Sequence, residues 1–207
     1  MKDATGQLAR EWAYAKSEKK SSPLYEKTQW YIFELEDWHI EDKMKQAGMI
    51  AIASQCRGKR FLEYGCGIGD TLILASIAGA KEVHGLDLPS KTLNYARFRI
   101  LRFTKNKNIR LIDTSRNIQK LKLPQNYYDI ISAEDIFEHV INPIEHAKKI
   151  YESLRKGGSM YFSTEFVHSD FHPMHLKSNE RFHGIKWLYK LEKIGFKVIS
   201  PCQAMKV

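Results

Sequence analysis

The stretch Glu63-Tyr64-Gly65-Cys66-Gly67-Ile68-Gly69-Asp70 sets three glycines at alternate positions between two carboxylates. Glycines spaced in this way let a backbone turn tightly and bring its N–H groups against a ligand, and several cofactors use that arrangement. A dinucleotide site has the pattern G-x-G-x-x-G, in which the third glycine lets the next helix close on its strand while the helix N-terminus faces a pyrophosphate. Here Asp70 stands where that third glycine belongs. Its charge opposes a pyrophosphate. Glu63, two residues before the first glycine, suits a ligand with a positive amino group and no phosphates.

Groups able to move a proton lie further along. Glu134, Asp135 and His139 are close in sequence, and His168-Ser169-Asp170-Phe171-His172-Pro173-Met174-His175 is rich in imidazoles. Imidazoles titrate near neutrality, so His139, His172 or His175 could take a proton from a hydroxyl or amine; Glu134 or Asp135 could do the same or orient a substrate. Histidines three apart beside an aspartate also offer ligands to a divalent metal. Pro173 interrupts any regular helix there, and no metal is expected.

These groups need a frame, and the hydropathy pattern supplies one. Phe61–Tyr64, Glu82–Leu86, Ile109–Ile112, Tyr128–Ala133 and Ser159–Ser163 read as strands, with helices over Thr71–Ala78, from Pro89-Ser90 onward and over Ile144–Leu154. Lys156-Gly157-Gly158 reads as the turn before the fifth strand; helix Lys186–Ile194 and strand Phe196–Ser200 follow. Strands separated by helices imply a parallel sheet covered on both faces, with ligands bound at the carboxyl ends of its strands. Gly65, Asp87, Asp113 and Glu134 gather at that edge. Residues 1–57 read as an accessory helical extension rich in aromatics, among them Trp12, Trp30 and Trp38, broken at Ser21-Ser22-Pro23. Its rings are expected chiefly as the core of that cap, with some facing a ligand.

The chain of 207 residues, 43% hydrophobic, suffices for one sizeable α/β domain with additional helix. A net charge of +9 allows an acidic partner, but its lysines and arginines are dispersed, so nucleic acid is possible and not favoured. Three cysteines give neither a disulfide framework nor a four-cysteine zinc site, and fit a reducing compartment. With no signal sequence and no run long enough to cross a bilayer, no membrane partner is expected and the location is expected to be cytoplasmic.

The segment 63–69 resembles the E/D-x-G-x-G-x-G motif of class I S-adenosylmethionine-dependent methyltransferases. Further segments match in the family's order across 58–200. Asp87, about twenty residues past the glycines, resembles the acid that holds the cofactor's ribose, with Leu88 beside it, and Asp113-Thr114 resembles the pair that meets adenine. Glu138-His139-Val140 with Asn142-Pro143 resembles the EHV-x-(D/N)-P continuation of the fourth strand. Leu154-Arg155-Lys156-Gly157-Gly158 resembles the LKPGG turn, with Lys156 where proline is common, and Pro173-Met174-His175 resembles a P-x-H segment.

The resemblance implies an α/β, Rossmann-like class I methyltransferase fold over 58–207, a mainly parallel sheet with helices on both faces, plus an N-terminal helical cap over 1–57. S-adenosyl-L-methionine is the implied cofactor. Glu63 would meet its amino group and the backbone of Gly65 and Gly67 its carboxylate and sugar side; Asp87, Leu88, Asp113, Thr114 and Glu134 would complete the cofactor site. His139, Glu134, His172 and His175 are the candidate catalytic residues. The implied reaction is methyl transfer to oxygen or nitrogen of a small-molecule acceptor, with an RNA methyltransferase or a non-catalytic cofactor-binding protein as alternatives. The family's sheet ends in an antiparallel pair, yet only Pro201–Val207 follows Phe196–Ser200, so a seventh strand must be very short, come from another element or be missing.

Overall fold

The computed structural model describes residues 8, 10, 11, 24–104, 108–114, 118–169 and 174–207. His172 and Pro173 lie outside the described residues, as do Trp12, Tyr14 and the Ser21-Ser22-Pro23 break. Helices α1 (Trp30–Glu41) and α2 (Lys43–Ser54) precede strand β1 (Arg60–Tyr64). Then come α3 (Asp70–Ile77), β2 (Glu82–Asp87), α4 (Lys91–Phe103), β3 (Ile109–Asp113) and β4 (Tyr128–Glu134). The chain continues with α5 (Pro143–Ser153), β5 (Leu154–Ser163), α6 (Ile185–Ile194), β6 (Phe196–Ser200) and β7 (Gln203–Lys206).

Seven strands form one sheet in the order β3-β2-β1-β4-β5-β7-β6, with β7 antiparallel to both its neighbours and the other pairs parallel. The seventh strand is thus present in four residues, after a turn too short to show any periodicity. Strand order reverses between β1 and β4, so the crevice at their carboxyl ends is where such a sheet takes a ligand.

The central strands are apolar on both sides because both faces are covered. Phe61, Val83 and Ile130 join Leu72, Leu93 and Ala96 in one core, while Leu62, Leu86 and Ile131 join Ile150, Trp187 and Leu191 in the other. Each fully buried side chain of this size stabilises the fold by about 1.5–3 kcal/mol. Two cores on one sheet hold its carboxyl edge rigid.

Local signals mark the ends. Asp42 caps α2, accepting from the N–H groups of Met44 and Lys45 at 2.8 and 3.0 Å, and Ser90 caps α4 through Leu93 N–H at 3.0 Å. The Lys156-Gly157-Gly158 turn is absorbed as an irregularity inside a longer β5: Tyr128 pairs with Leu154 and Ile130 with Ser159, and Gly157 takes φ +74°. No described helix is long and apolar enough to cross a membrane.

Candidate active site

β1 ends at Tyr64, and the chain turns through Gly65 and Gly67 at φ +84° and +49°, left-handed conformations that a Cβ disfavours. Space requires glycine as well. A Cβ on Gly65 would lie 2.0 Å from Ile136 Cδ1, and one on Gly67 3.2 Å from Leu35 Cδ1. The loop after β4 and the cap therefore close on bare backbone from opposite sides.

Between them lies a cavity of about 620 Å³, within the range of small-molecule sites. Its floor is the carboxyl edge of β1, β2 and β4. Its roof is the cap: Tyr31, Leu35 and Trp38 of α1 and Lys45 and Met49 of α2. Among the described rings the expected cap core is corrected: Tyr25, Tyr31 and Trp38 line the cavity, and Trp38 is also 37% exposed. A helix packed on one side only has too little hidden face to bury every ring.

Two carboxylates stand at the floor. Glu63 lines the cavity with Oε2 buried and without a hydrogen-bond partner among the described residues. Burial pushes its carboxyl up to about 8 against a hydrogen bond from Thr71. A buried oxygen left unmatched costs about 1–3 kcal/mol, so the position asks for a donor from the ligand. Asp87 accepts from Gly67 N–H at 2.7 Å and Leu88 N–H at 2.6 Å; burial lifts it to about 6, and these two bonds oppose the lift.

Asp70 does not face the ligand. It accepts from His39 Nδ1 at 2.7 Å and Arg99 Nη2 at 2.5 Å, fastening α3 to the cap and to α4. Burial pushes its carboxyl up, but these bonds overcome that and hold it below the ordinary carboxylate range. The expected adenine pair divides: Thr114 lines the cavity, whereas Asp113 turns out to an exposed pairing with Arg97. Neighbouring residues at a strand end point to opposite faces, so only one of the two can reach inward. Asp113 is corrected to a surface residue.

At the far end, Glu134 and Asp135 line the cavity but are engaged by Lys45 Nζ at 3.0 and 2.8 Å, and Lys45 lies over the Trp38 ring at 4.7 Å. Asp135 sits at φ +54°, held by its N–H to Ser163 O at 3.0 Å and by the Ser163 hydroxyl at 2.8 Å. That turn redirects the chain so that Ile136, His139 and Val140 face the cavity. His139 Nδ1 lies 3.1 Å from the Tyr25 hydroxyl and 3.3 Å from Met174 O. The side-chain amide of Asn179, itself 2% exposed, donates to the carbonyls of Phe137, Glu138 and Val140 and locks this loop. His146 meets Tyr64 Oη at 2.7 Å on the same wall, and burial depresses its pKa to about 4, so it is neutral.

Residues 38–200 match the methyltransferase domain family. The chain belongs to this family. The methyltransferase has a class I fold, and S-adenosylmethionine is its cofactor. Among curated relatives it is 29% identical over 118 residues to a ubiquinone biosynthesis O-methyltransferase of Nitrosospira multiformis, covering 56% of this chain and 47% of that protein. It spans about half the length of the curated relatives it matches. An S-adenosylmethionine-dependent methyltransferase structure from Mesorhizobium loti superposes with TM-score 0.62 at 20% identity, covering 78% of this chain and 84% of that one. The Haemonchus contortus enzyme solved with phosphomonomethylethanolamine and S-adenosylhomocysteine gives TM-score 0.60 at 21% identity, over 72% of this chain and 37% of that one.

The residues present fit the cofactor: an unmatched buried carboxylate oxygen at Glu63, bare glycine backbone at Gly65 and Gly67, and a buried carboxylate at Asp87 line one crevice. Of the residues expected from sequence, the methyltransferase brings Glu63, Gly65, Gly67, Asp87, Leu88, Thr114, Glu134 and His139 to one cavity. His175 is 8% exposed behind His139, their rings 4.9 Å apart and edge to face. Sequence reasoning missed Lys45, Tyr25, His39 and Asn179 as site residues. Nothing local marks them, because each acts on a partner 31 or more positions away. Glu138 was legible only as part of the Glu-His-Val segment.

Proposed function

We propose that this methyltransferase moves the methyl of S-adenosylmethionine to an oxygen, or less favourably a nitrogen, of a small-molecule acceptor held between the cap and the loop after β4. The observation that carries this is that one cavity has buried Glu63 and Asp87 at its floor and Tyr25, Tyr31, Ile136 and His139 walling its opposite end. Oxygen is favoured because curated relatives matched over about half of their own length are ubiquinone biosynthesis O-methyltransferases by name.

The cofactor, when bound, supplies an activated methyl on a sulfonium sulfur, and alignment in line with the acceptor atom is the main demand. In this reading Glu63, ionised, pairs with the amino group, Gly65 and Gly67 present backbone to the methionine end, and Asp87 accepts from the ribose hydroxyls. Thr114 stands beside the base. Tyr25, Tyr31 and Leu35 exclude water from the far end, and Lys45 holds Glu134 and Asp135 so that the cap stays over the acceptor. His139 is the imidazole placed to engage the acceptor's proton, positioned by Tyr25 and Met174.

The test is incubation with S-adenosylmethionine and a panel of phenols, alcohols and amines, read by mass spectrometry for methylated acceptor and S-adenosylhomocysteine. Methylation of one acceptor class, lost in Asp87→Ala, is the expected result. Cofactor binding without turnover on any acceptor, or turnover on RNA alone, would replace this reading.

A further inference from the structure

The described residues hold a cluster of which methyl transfer as set out above uses only His139. Glu138, His139 and His175 each offer a ligand atom within 4.8 Å of the others. We infer that Glu138, His139 and His175 form a divalent transition-metal site at the acceptor end of the cavity.

Four observations carry it. The donor set is two imidazoles and a carboxylate, the combination suited to zinc, manganese, cobalt or iron(II) and poorly suited to calcium. Main-chain partners orient the imidazoles: a carbonyl only accepts, so His175 Nδ1 donates to Val167 O at 2.7 Å, while His139 Nδ1 lies 3.3 Å from Met174 O and 3.1 Å from the Tyr25 hydroxyl. His175 then carries its lone pair on Nε2, the outer hydrogen bond being the one that orients metal-binding histidines.

Glu138 is 1% exposed, and its oxygens are each held, Oε1 by Glu165 N–H at 3.0 Å and Oε2 by the Thr164 hydroxyl at 2.9 Å. No lysine or arginine pairs with it among the described residues. A buried carboxylate that is hydrogen-bonded but lacks a cation is a first ligand with its supporting contacts already built. Finally, the frame is rigid: Asn179 clamps the carbonyls on either side of His139, and Leu176 N–H donates to Glu138 O at 2.9 Å, tying the two segments that supply the ligands.

Donors bound at about 2.1 Å stand at most about 4.2 Å apart, so closing on an ion asks only for sub-ångström shifts of side-chain ends. This departs from the expectation of no metal, which considered His172 and His175 beside Asp170; the tertiary structure instead joins His175 to the Glu138-His139 pair. An ion here lowers the pKa of an acceptor hydroxyl that reaches it, with His139 then acting as a ligand. That role rests on the methyl-transfer reading; the site itself does not.

The test titrates the chelator-treated 207-residue chain, without cofactor or acceptor, with Co²⁺ followed by visible absorption and with Mn²⁺ followed by electron paramagnetic resonance. One equivalent is expected to bind, with Co²⁺ bands of nitrogen and oxygen ligation. His139→Ala and His175→Ala should each weaken binding by at least about tenfold. Exposed His183→Ala should leave it unchanged. Glu138→Gln repeats the test at the carboxylate, and retained S-adenosylhomocysteine binding shows that each variant is folded. Absence of stoichiometric binding by the native chain at millimolar ion, or binding equal in native, His139→Ala and His175→Ala proteins, overturns the site.

Discussion

The two ends of the cavity are built on different principles. At the cofactor end, Glu63, Gly65, Gly67 and Asp87 sit at the ends of two neighbouring parallel strands, and their bonds run over short distances within that edge. At the acceptor end, long-range side-chain contacts join distant elements: Lys45 of α2 to Glu134 and Asp135, Tyr25 to His139, Asn179 to the loop after β4. One end is scaffold and the other is assembly. A change at the first should therefore be read mainly in cofactor affinity, and a change at the second in stability and in the acceptor.

The largest expected effect sharpens that contrast. Asp87→Ala removes the acceptor of two hydrogen bonds worth about 1.5–3 kcal/mol each, so S-adenosylhomocysteine affinity by calorimetry should fall by about a hundredfold or more. His139→Ala should leave that affinity nearly intact while reducing acceptor turnover. Equal loss in both variants would show that the ends are not separate.

Next comes Lys45→Ala, which leaves Glu134 and Asp135 side by side without a cation. The three side chains are 12–28% exposed, so the cost lies below that of a fully buried pair, about 1–3 kcal/mol in denaturant unfolding. The acceptor KM should rise more than the cofactor Kd. If the cofactor Kd changes more, the cap serves the other end.

A third effect is set by pH. Glu63 has its carboxyl near 8 in the folded protein and must lose its proton to pair with an amino cation, so cofactor affinity should rise by up to about tenfold per unit as pH increases toward 8, then level. Glu63→Gln should flatten the profile in that window. The same raised pKa means that the folded state holds the proton more tightly than the unfolded one. Stability of the ligand-free protein should therefore fall as pH rises from about 4.5 to 8, and Asp87, near 6, acts in the same direction over the lower part of that range.

The smallest effect is at a helix start. Asp42→Ala removes the cap of α2 and should cost about 1 kcal/mol of stability without touching either affinity.

Much of the cofactor end was legible beforehand because its chemistry is local. Glu63 and the glycines are consecutive, and Asp87 follows at the distance one helix and one strand impose. Asp113 against Thr114 was not legible, because two adjacent residues at a strand end differ only in which face they take. The four residues of β7 were likewise too few to carry a period, and their pairing with β5 came from proximity in the folded sheet. For the acceptor end, no pattern along the chain links Lys45 to Glu134, or His175 to Glu138.

By itself, then, the sequence determined the alternation of strands and helices, the glycine turn, and the presence of Glu63 and Asp87 at the ends of neighbouring strands. These follow from side-chain period and backbone freedom, which are properties of neighbours. Only the tertiary structure decided which carboxylates are free for a ligand and which are spent on His39, Arg99 or Lys45, and which imidazoles share a carboxylate. Those outcomes depend on burial and on contacts across tens of residues, and burial exists only once the two cores have closed on the sheet.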